Sequence, residues 1–153
     1  NAPWNKDPRV RQAISMSFPR DDIQDLVYDT KKLRAAGLDV ANPWNNIIPA
    51  GFTRFWLDPQ GKDQGESAKY YKHDVAEAKK LMNAAGFADG ISATYQYPGS
   101  IYGKGFNDAA EATIPYLNAI GIKTTTDVQF PENVTLVTKY YDKLGPLLQD
   151  DEQ

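Results

Sequence analysis

ISATYQYPGSIYGKGFNDAAEATIPYLNAIGIKTTTDV, residues 91–128, is the stretch whose reading decides the fold. Its first seven residues alternate, with Ile91, Ala93, Tyr95 and Tyr97 on one side and Ser92, Thr94 and Gln96 on the other, the period of a half-buried strand. A loop around Gly99 to Gly105 follows. Apolar spacing then changes to the helical period from Asp108 to Ile120, with Ala110, Thr113, Ile114 and Leu117 facing inward and Gly121 closing the helix. Lys123 to Phe130 returns to strand composition. A strand, a helix and a second strand within about 40 residues predict a parallel pair joined by a right-handed crossover.

Helices are predicted on either side of this unit. HDVAEAKKLMNAAGF, residues 73–87, has Asp74 as cap, Glu77 three residues later as the other half of a capping box, and a stripe of Val75, Ala78, Leu81, Met82 and Ala85 that ends at Gly86. DPRVRQAISMSFPRDDIQDLVYD, residues 7–29, reads as a helical hairpin or bent pair. Asp7 caps, Pro8 takes the first helical position, and Val10, Ala13, Ile14 and Ser17 form a narrow core stripe. After Pro19 a second helix carries Ile23, Leu26 and Val27 on one face, with Asp21, Asp22 and Asp25 favouring its amino-terminal turns. A last helix is expected from Glu132 to Leu144, with Val134, Val137, Tyr140, Tyr141 and Leu144 inward. Between the helices, Lys31 to Lys72 has poor periodicity, several prolines and glycines, and a load of rings that includes Trp44, Phe52, Phe55, Trp56, Tyr70 and Tyr71. A long irregular segment of that kind is functional or disordered, and the aromatic content argues against disorder.

The totals narrow the function classes. A chain of 153 residues is about one domain long. With 17 basic and 20 acidic residues the formal charge is -3, which supplies no field to attract nucleic acid or an anionic membrane. No apolar run approaches the roughly 20 residues that span a bilayer, so direct membrane insertion is not expected. The absence of cysteine removes disulfides, thiolate metal sites and cysteine nucleophiles. Asn1 and Ala2 read as a cloning remnant, and no signal peptide precedes Pro3, so any targeting segment is expected to have been removed or never to have existed.

Catalytic patterns fail one by one. His73 is the only histidine and precedes a helix cap in a tyrosine- and lysine-rich stretch, the setting of an ordinary surface residue. Ser100 in GSIYGKG lacks the spacing of a nucleophile elbow, and Gly103 and Gly105 lack the third glycine of a dinucleotide fingerprint. Asp58, Asp63 and Glu66 share a glycine-containing loop but not the ligand order of a calcium loop. No catalytic residue, metal site or cofactor is expected. Two rivals remain open: a small carboxylate-dependent hydrolase using Asp58, Asp63 or Glu66, and an aromatic-rich interaction module.

Taken in order, KDPRVRQAISMSFPRDDIQDLVYD, NNIIPAGF, YKHDVAEAKKLMNAAGF and ATIPYLNAIGIKTTTDV resemble the extracellular solute-binding proteins of family 5, the peptide-, dipeptide- and nickel-binding receptors of ABC importers. The similarity runs from Asp7 to about Val128. It implies an α/β lobe of the periplasmic-binding-protein type, a small mixed sheet with a βαβ unit flanked by helices, in which residues 3–153 are one domain and part of the second lobe of a two-lobed receptor. In that family the motif carried here by Asp7, Arg9, Val10, Arg11, Gln12 and Ala13 opens the second lobe, which explains an organised stretch without a reactive group. The sequence departs from the family where Pro19 replaces an acidic cap, where Lys31 to Asn42 is expanded, and where the segment returning after NVTLVTKYYDKLG is missing. The resemblance also implies a peptide or other small-molecule ligand, a facing first lobe, permease subunits as partners, and a periplasmic or extracellular location, the full-length protein being lipid-anchored or free. Composition, irregularity and the family's habit of running this segment near the cleft together nominate Trp44, Asn46, Phe55 and Trp56 as ligand-binding residues.

Overall fold

The computed structural model describes residues 2–99 and 102–129. In chain order these form α1 (Pro3–Lys6), α2 (Pro8–Ser17), α3 (Arg20–Tyr28), α4 (Thr30–Ala35), a 3₁₀ segment (Lys62–Tyr71), α5 (Val75–Ala84), β1 (Ile91–Pro98), α6 (Lys104–Ala119) and β2 (Ile122–Gln129). The predicted helix from Glu132 to Leu144 lies outside the described residues.

The expected βαβ unit is present. β1 and β2 pair in parallel, Ile91 opposite Ile122 through to Pro98 opposite Gln129, with α6 as the crossover. Exposure alternates along β1 as the sequence implies. Its covered face meets α6 through polar contacts as well: the buried Tyr97 donates from its hydroxyl to Glu111 Oε1 at 3.0 Å, and the Thr113 hydroxyl lies 2.8 Å from that of Tyr95. Burial first, and then the Glu111 carboxylate, raise the Tyr97 pKa from the ordinary phenol value, so this hydroxyl keeps the proton it donates. Where the strands begin, Ile91 N–H donates to the Gly121 carbonyl at 2.9 Å. Gly90 and Gly121, at φ 81° and 90°, make that approach, and a Cβ on Gly90 would stand 2.2 Å from Gly121 O.

α2 forms because Asp7 Oδ1 accepts the Arg9 amide at 2.8 Å and Pro8 forfeits only an amide that had no partner. Its buried face is Val10, Ala13, Met16 and Ser17; Met16 fills the place expected for Ile14, which is only half-buried. This face packs on Ala78 and Met82 of α5, and the two alanines at 0% exposure let the helices approach closely. Leu117, Ile120 and Ile122 complete the core from the crossover side. α5 starts as predicted, with Asp74 Oδ1 accepting the Glu77 amide at 2.9 Å, but the capping box is half made. Asp74 N–H goes instead to the Met16 carbonyl at 2.9 Å, tying the end of α2 to the start of α5, and the Glu77 carboxylate turns to Lys80 at 3.0 Å. Gly86, at φ 86°, ends the helix with its amide on Asn83 O and the Phe87 amide on Met82 O, the paired bonds of a Schellman motif.

Three boundaries differ from the sequence reading. α6 begins at Lys104 rather than Asp108, and the pair Lys104 Nζ–Asp108 Oδ2 at 2.5 Å lies within its first turns. β2 begins one residue earlier, at Ile122. The segment from Lys31 to Lys72 contains most of α4 and the whole 3₁₀ segment, the latter broken by Gly65 at φ 62°.

Between α3 and α4 the chain turns at Asp29, in the left-handed region at φ 50°, and Asp25 holds the turn, its Oδ1 accepting Lys31 N–H at 2.7 Å and Thr30 Oγ1–H at 2.9 Å. The Lys31 amide first, then Thr30 and the Lys31 ammonium, lower the Asp25 pKa below its ordinary 3.8. A carboxylate whose pKa falls on folding stabilises the fold above its unfolded pKa, and that contribution disappears as pH drops through the folded value. Asp25→Asn is therefore expected to flatten the acid limb of stability below pH 3.8, measured by denaturant unfolding across the acid range. Parallel curves for variant and wild type would contradict this.

Candidate functional site

Trp44, Asn46 and Trp56 come together in one hydrogen-bonded loop. Trp56 Nε1–H donates to the Trp44 carbonyl at 3.1 Å. Asn46 closes the same span by donating from Nδ2 to Leu57 O at 2.6 Å, and its Oδ1 accepts the Ile48 amide two residues on at 2.5 Å. A turn between Pro49 and Trp56 is fixed by the Phe52 amide on Pro49 O, at 2.9 Å, and the Trp56 amide on Phe52 O, at 3.0 Å. These bonds hold the loop in one shape without regular secondary structure.

Phe55 is not part of that network. It is 67% exposed, with the Arg54 guanidinium carbon 5.6 Å from its ring centroid, and it shares the loop's outer surface with Ile47, Phe52 and Leu57, all exposed. A fixed loop thus presents four apolar side chains to the outside.

The loop is fastened to the helices at the start of α3. Trp44 Nε1–H donates to Asp21 Oδ1 at 2.6 Å. Arg20, the residue before it, reaches three elements: Nη1 donates to the carbonyls of Ser15, at 3.0 Å, and Tyr71, and Nη2 donates to Ser15 Oγ at 2.8 Å. Its guanidinium carbon lies 5.1 Å from the Tyr71 ring and 5.7 Å from the Trp44 ring, within cation–π range of both. Burial lowers the Arg20 pKa from the ordinary arginine value, and the Tyr71 phenol opposes it; the group remains a cation. A cavity of about 270 Å³ opens here, lined by Phe18, Arg20, Ile23, Gln24, Trp44, Asn45 and Thr113. A wider groove of about 700 Å³ adjoins it through Ile23, Gln24 and Asn45 and runs between α3 and the start of α6, past Val27, Tyr102 and Phe106.

Arg20 and Asp21 had no signal in the sequence beyond their place after Pro19, because their partners Tyr71 and Trp44 are distant in the chain. His73 is exposed, its ring edge-on to Tyr116 at 6.0 Å. Asp58 serves as a turn acceptor for the Gln60 amide at 2.9 Å. Among the described residues no three His, Cys, Asp or Glu side chains are grouped to hold a metal ion, and no helix is long and apolar enough to cross a membrane.

Comparison with known proteins supplies what geometry alone does not. The model of the bacterial extracellular solute-binding proteins, family 5 Middle, matches residues 1–146. Among solved structures, the ABC transporter substrate binding protein CtaP from Listeria monocytogenes superposes with a TM-score of 0.58 over 87% of this chain, at 23% sequence identity. The chain spans 24% of the length of that protein, so the likeness is one of fold over about a quarter of it. No curated protein matches the chain. A solute-binding family consists of receptors and not of enzymes, in agreement with the failure of every catalytic pattern in the sequence. The residues that carried the resemblance lie within the matched span, and the chain belongs to the bacterial extracellular solute-binding proteins, family 5.

Proposed function

We infer that the chain is part of the second lobe of the substrate-binding component of an ABC importer, working in the periplasm or outside the cell, where the full-length protein is lipid-anchored or free. The observation that carries this reading is the family match across residues 1–146; the fold shared with an ABC transporter substrate binding protein supports it. The activity is capture. Two lobes close over a peptide or other small solute by hinge motion, the closed state is favoured by contacts that only it makes, and the loaded receptor delivers its cargo to the permease subunits. No bond is made or broken.

Trp44, Asn46, Phe55 and Trp56 are assigned to the solute or the facing first lobe. The fixed loop supports the assignment, since ordering it adds no entropic cost to closure. Phe55, exposed like Ile47 and Phe52 of the same loop, presents apolar area that a facing lobe would cover. Trp44→Ala and Trp56→Ala in the full-length receptor should each weaken solute affinity by about tenfold or more, as expected for buried aromatic anchors. Calorimetry on variants that keep the wild-type melting profile is the measurement, and unchanged affinity rejects the assignment.

A further inference from the structure

The groove between α3 and the start of α6, at about 700 Å³, falls within the roughly 300–1,000 Å³ of small-ligand sites. None of its eleven lining residues is charged, in a chain where 24% of residues are, so an ion entering it finds no partner. Rings and primary amides line it instead. Tyr28, the last residue of α3, is 61% exposed, and Tyr102 and Phe106, before and within the first turn of α6, are 67% and 45% exposed. The Tyr102 and Phe106 rings lie 5.1 Å apart between centroids at 53° to one another, an aromatic corner. Gly105 keeps the groove open: a Cβ there would already touch Val27 Cγ1, at 3.6 Å, and a longer side chain would occupy the space between the helices.

Three amides supply the polar part. Gln24 Nε2 makes one long bond, 3.4 Å to Pro43 O. Asn45 Oδ1 accepts the Ala50 amide at 2.8 Å, and its Nδ2 has no acceptor among the described residues. The half-buried Asn42 side chain has no hydrogen-bond partner among the described residues. This lining selects among neutral solutes. A purely apolar molecule would take water from the three amides and return no hydrogen bond. A short peptide brings an ammonium and a carboxylate, for which the lining has no counter-charge. A sugar matches both halves: the C–H face of its ring lies on aromatic rings, and its hydroxyls, each donor and acceptor, pair with amide N–H and C=O groups.

We propose that this groove is a saccharide subsite, in which Tyr102 and Phe106 cover the C–H face of a sugar ring and Gln24, Asn42 and Asn45 bond its hydroxyls. The subsite rests on the capture reading for its role, and makes the captured solute a neutral carbohydrate.

The test is calorimetry on the full-length receptor with a panel of neutral disaccharides (cellobiose, maltose, lactose and chitobiose) and with trialanine as the peptide counterpart. The expected result is saturable binding of at least one disaccharide. Tyr102→Ala and Phe106→Ala should each weaken it by about tenfold, the effect of losing one stacked ring, and Asn42→Ala by about fivefold, the effect of one neutral hydrogen bond. Gly105→Leu, which fills the groove, should abolish it, whereas Gly105→Ala, whose added carbon meets Val27 at ordinary contact distance, should leave it within about twofold of wild type. The ring and amide variants lie on the surface and do not depend on the tolerance of position 105. A receptor that binds no disaccharide overturns the subsite, and so does one whose disaccharide affinity is untouched by Tyr102→Ala, Phe106→Ala and Gly105→Leu. If that receptor binds trialanine, capture stands while the subsite falls; if disaccharide binding persists with the groove filled, capture again stands and the sugar sits elsewhere.

Discussion

Alanine at position 90 is expected to cost the fold about 3 kcal/mol or more, the sum of forcing a side chain into the left-handed region and displacing a backbone carbonyl. Gly90 sits at φ 81°, and an added Cβ would come within 2.2 Å of Gly121 O. That oxygen accepts the Ile91 amide, the bond that opens the parallel ladder, so it cannot withdraw without unpairing the strands where they begin. Gly86→Ala is the matching control. Gly86 has a nearly identical φ of 86° but nothing within 4 Å of the added carbon, so only the conformational cost remains, about 1 kcal/mol. Urea unfolding followed by circular dichroism separates the two. Equal losses would mean that the close approach of the two glycines is not what sets the start of the sheet.

Met82→Ala is the second large effect. Met82 is 1% exposed and packs on α2 at the centre of the core, among Val10, Ala13 and Met16. Truncation removes three heavy atoms from a site walled by two helices that are tied together through Asp74 N–H and Met16 O, so the space cannot collapse fully. A loss of about 3 kcal/mol is expected, against less than about 1.5 kcal/mol for Met82→Leu, which nearly conserves volume. The denaturation midpoint should fall with little change in its slope. Leu81→Ala, one residue away on a half-buried position, should cost less than Met82→Ala; the reverse order would displace the core from the α2–α5 contact.

The βαβ unit was legible because both of its periods are written locally. Alternation in residues 91–97 and the stripe of Ala110 and Leu117 each follow from which face is buried, and the structure buries those faces. The start of α6 was not legible: Gly103 and Gly105 suggest a loop, yet Gly103 at φ 82° sets the turn and the helix begins directly after it. The half-made capping box has the same origin. Local pattern pairs Glu77 with Asp74, whereas tertiary packing offers the Asp74 amide a carbonyl from another helix. The candidate site was legible only as composition. That Trp44 and Trp56 matter to one another, and that Asn46 closes their loop, depends on hydrogen bonds to backbone atoms 11 or 12 residues away. Arg20 was hidden for a stronger version of that reason, since its contact with Tyr71 spans 51 positions.

The crossover has a bearing on how chain length varies in this fold. Eight residues of β1 rise about 26 Å and the 16 residues of α6 return about 24 Å, so the helix carries the chain back to the level from which the strand set out. α6 therefore acts as a ruler, its span bringing β2 level with β1, where the glycine approach at the start and the Gln96–Asp127 pair across the strands, at 2.7 Å, hold the alignment. A residue inserted between Ala119 and Ile122 would slide β2 one place and turn Ile122 out of the core, whereas one inserted ahead of Gly103 would leave the ruler untouched. Natural variants of this lobe are accordingly expected to change length before the helix and not after it.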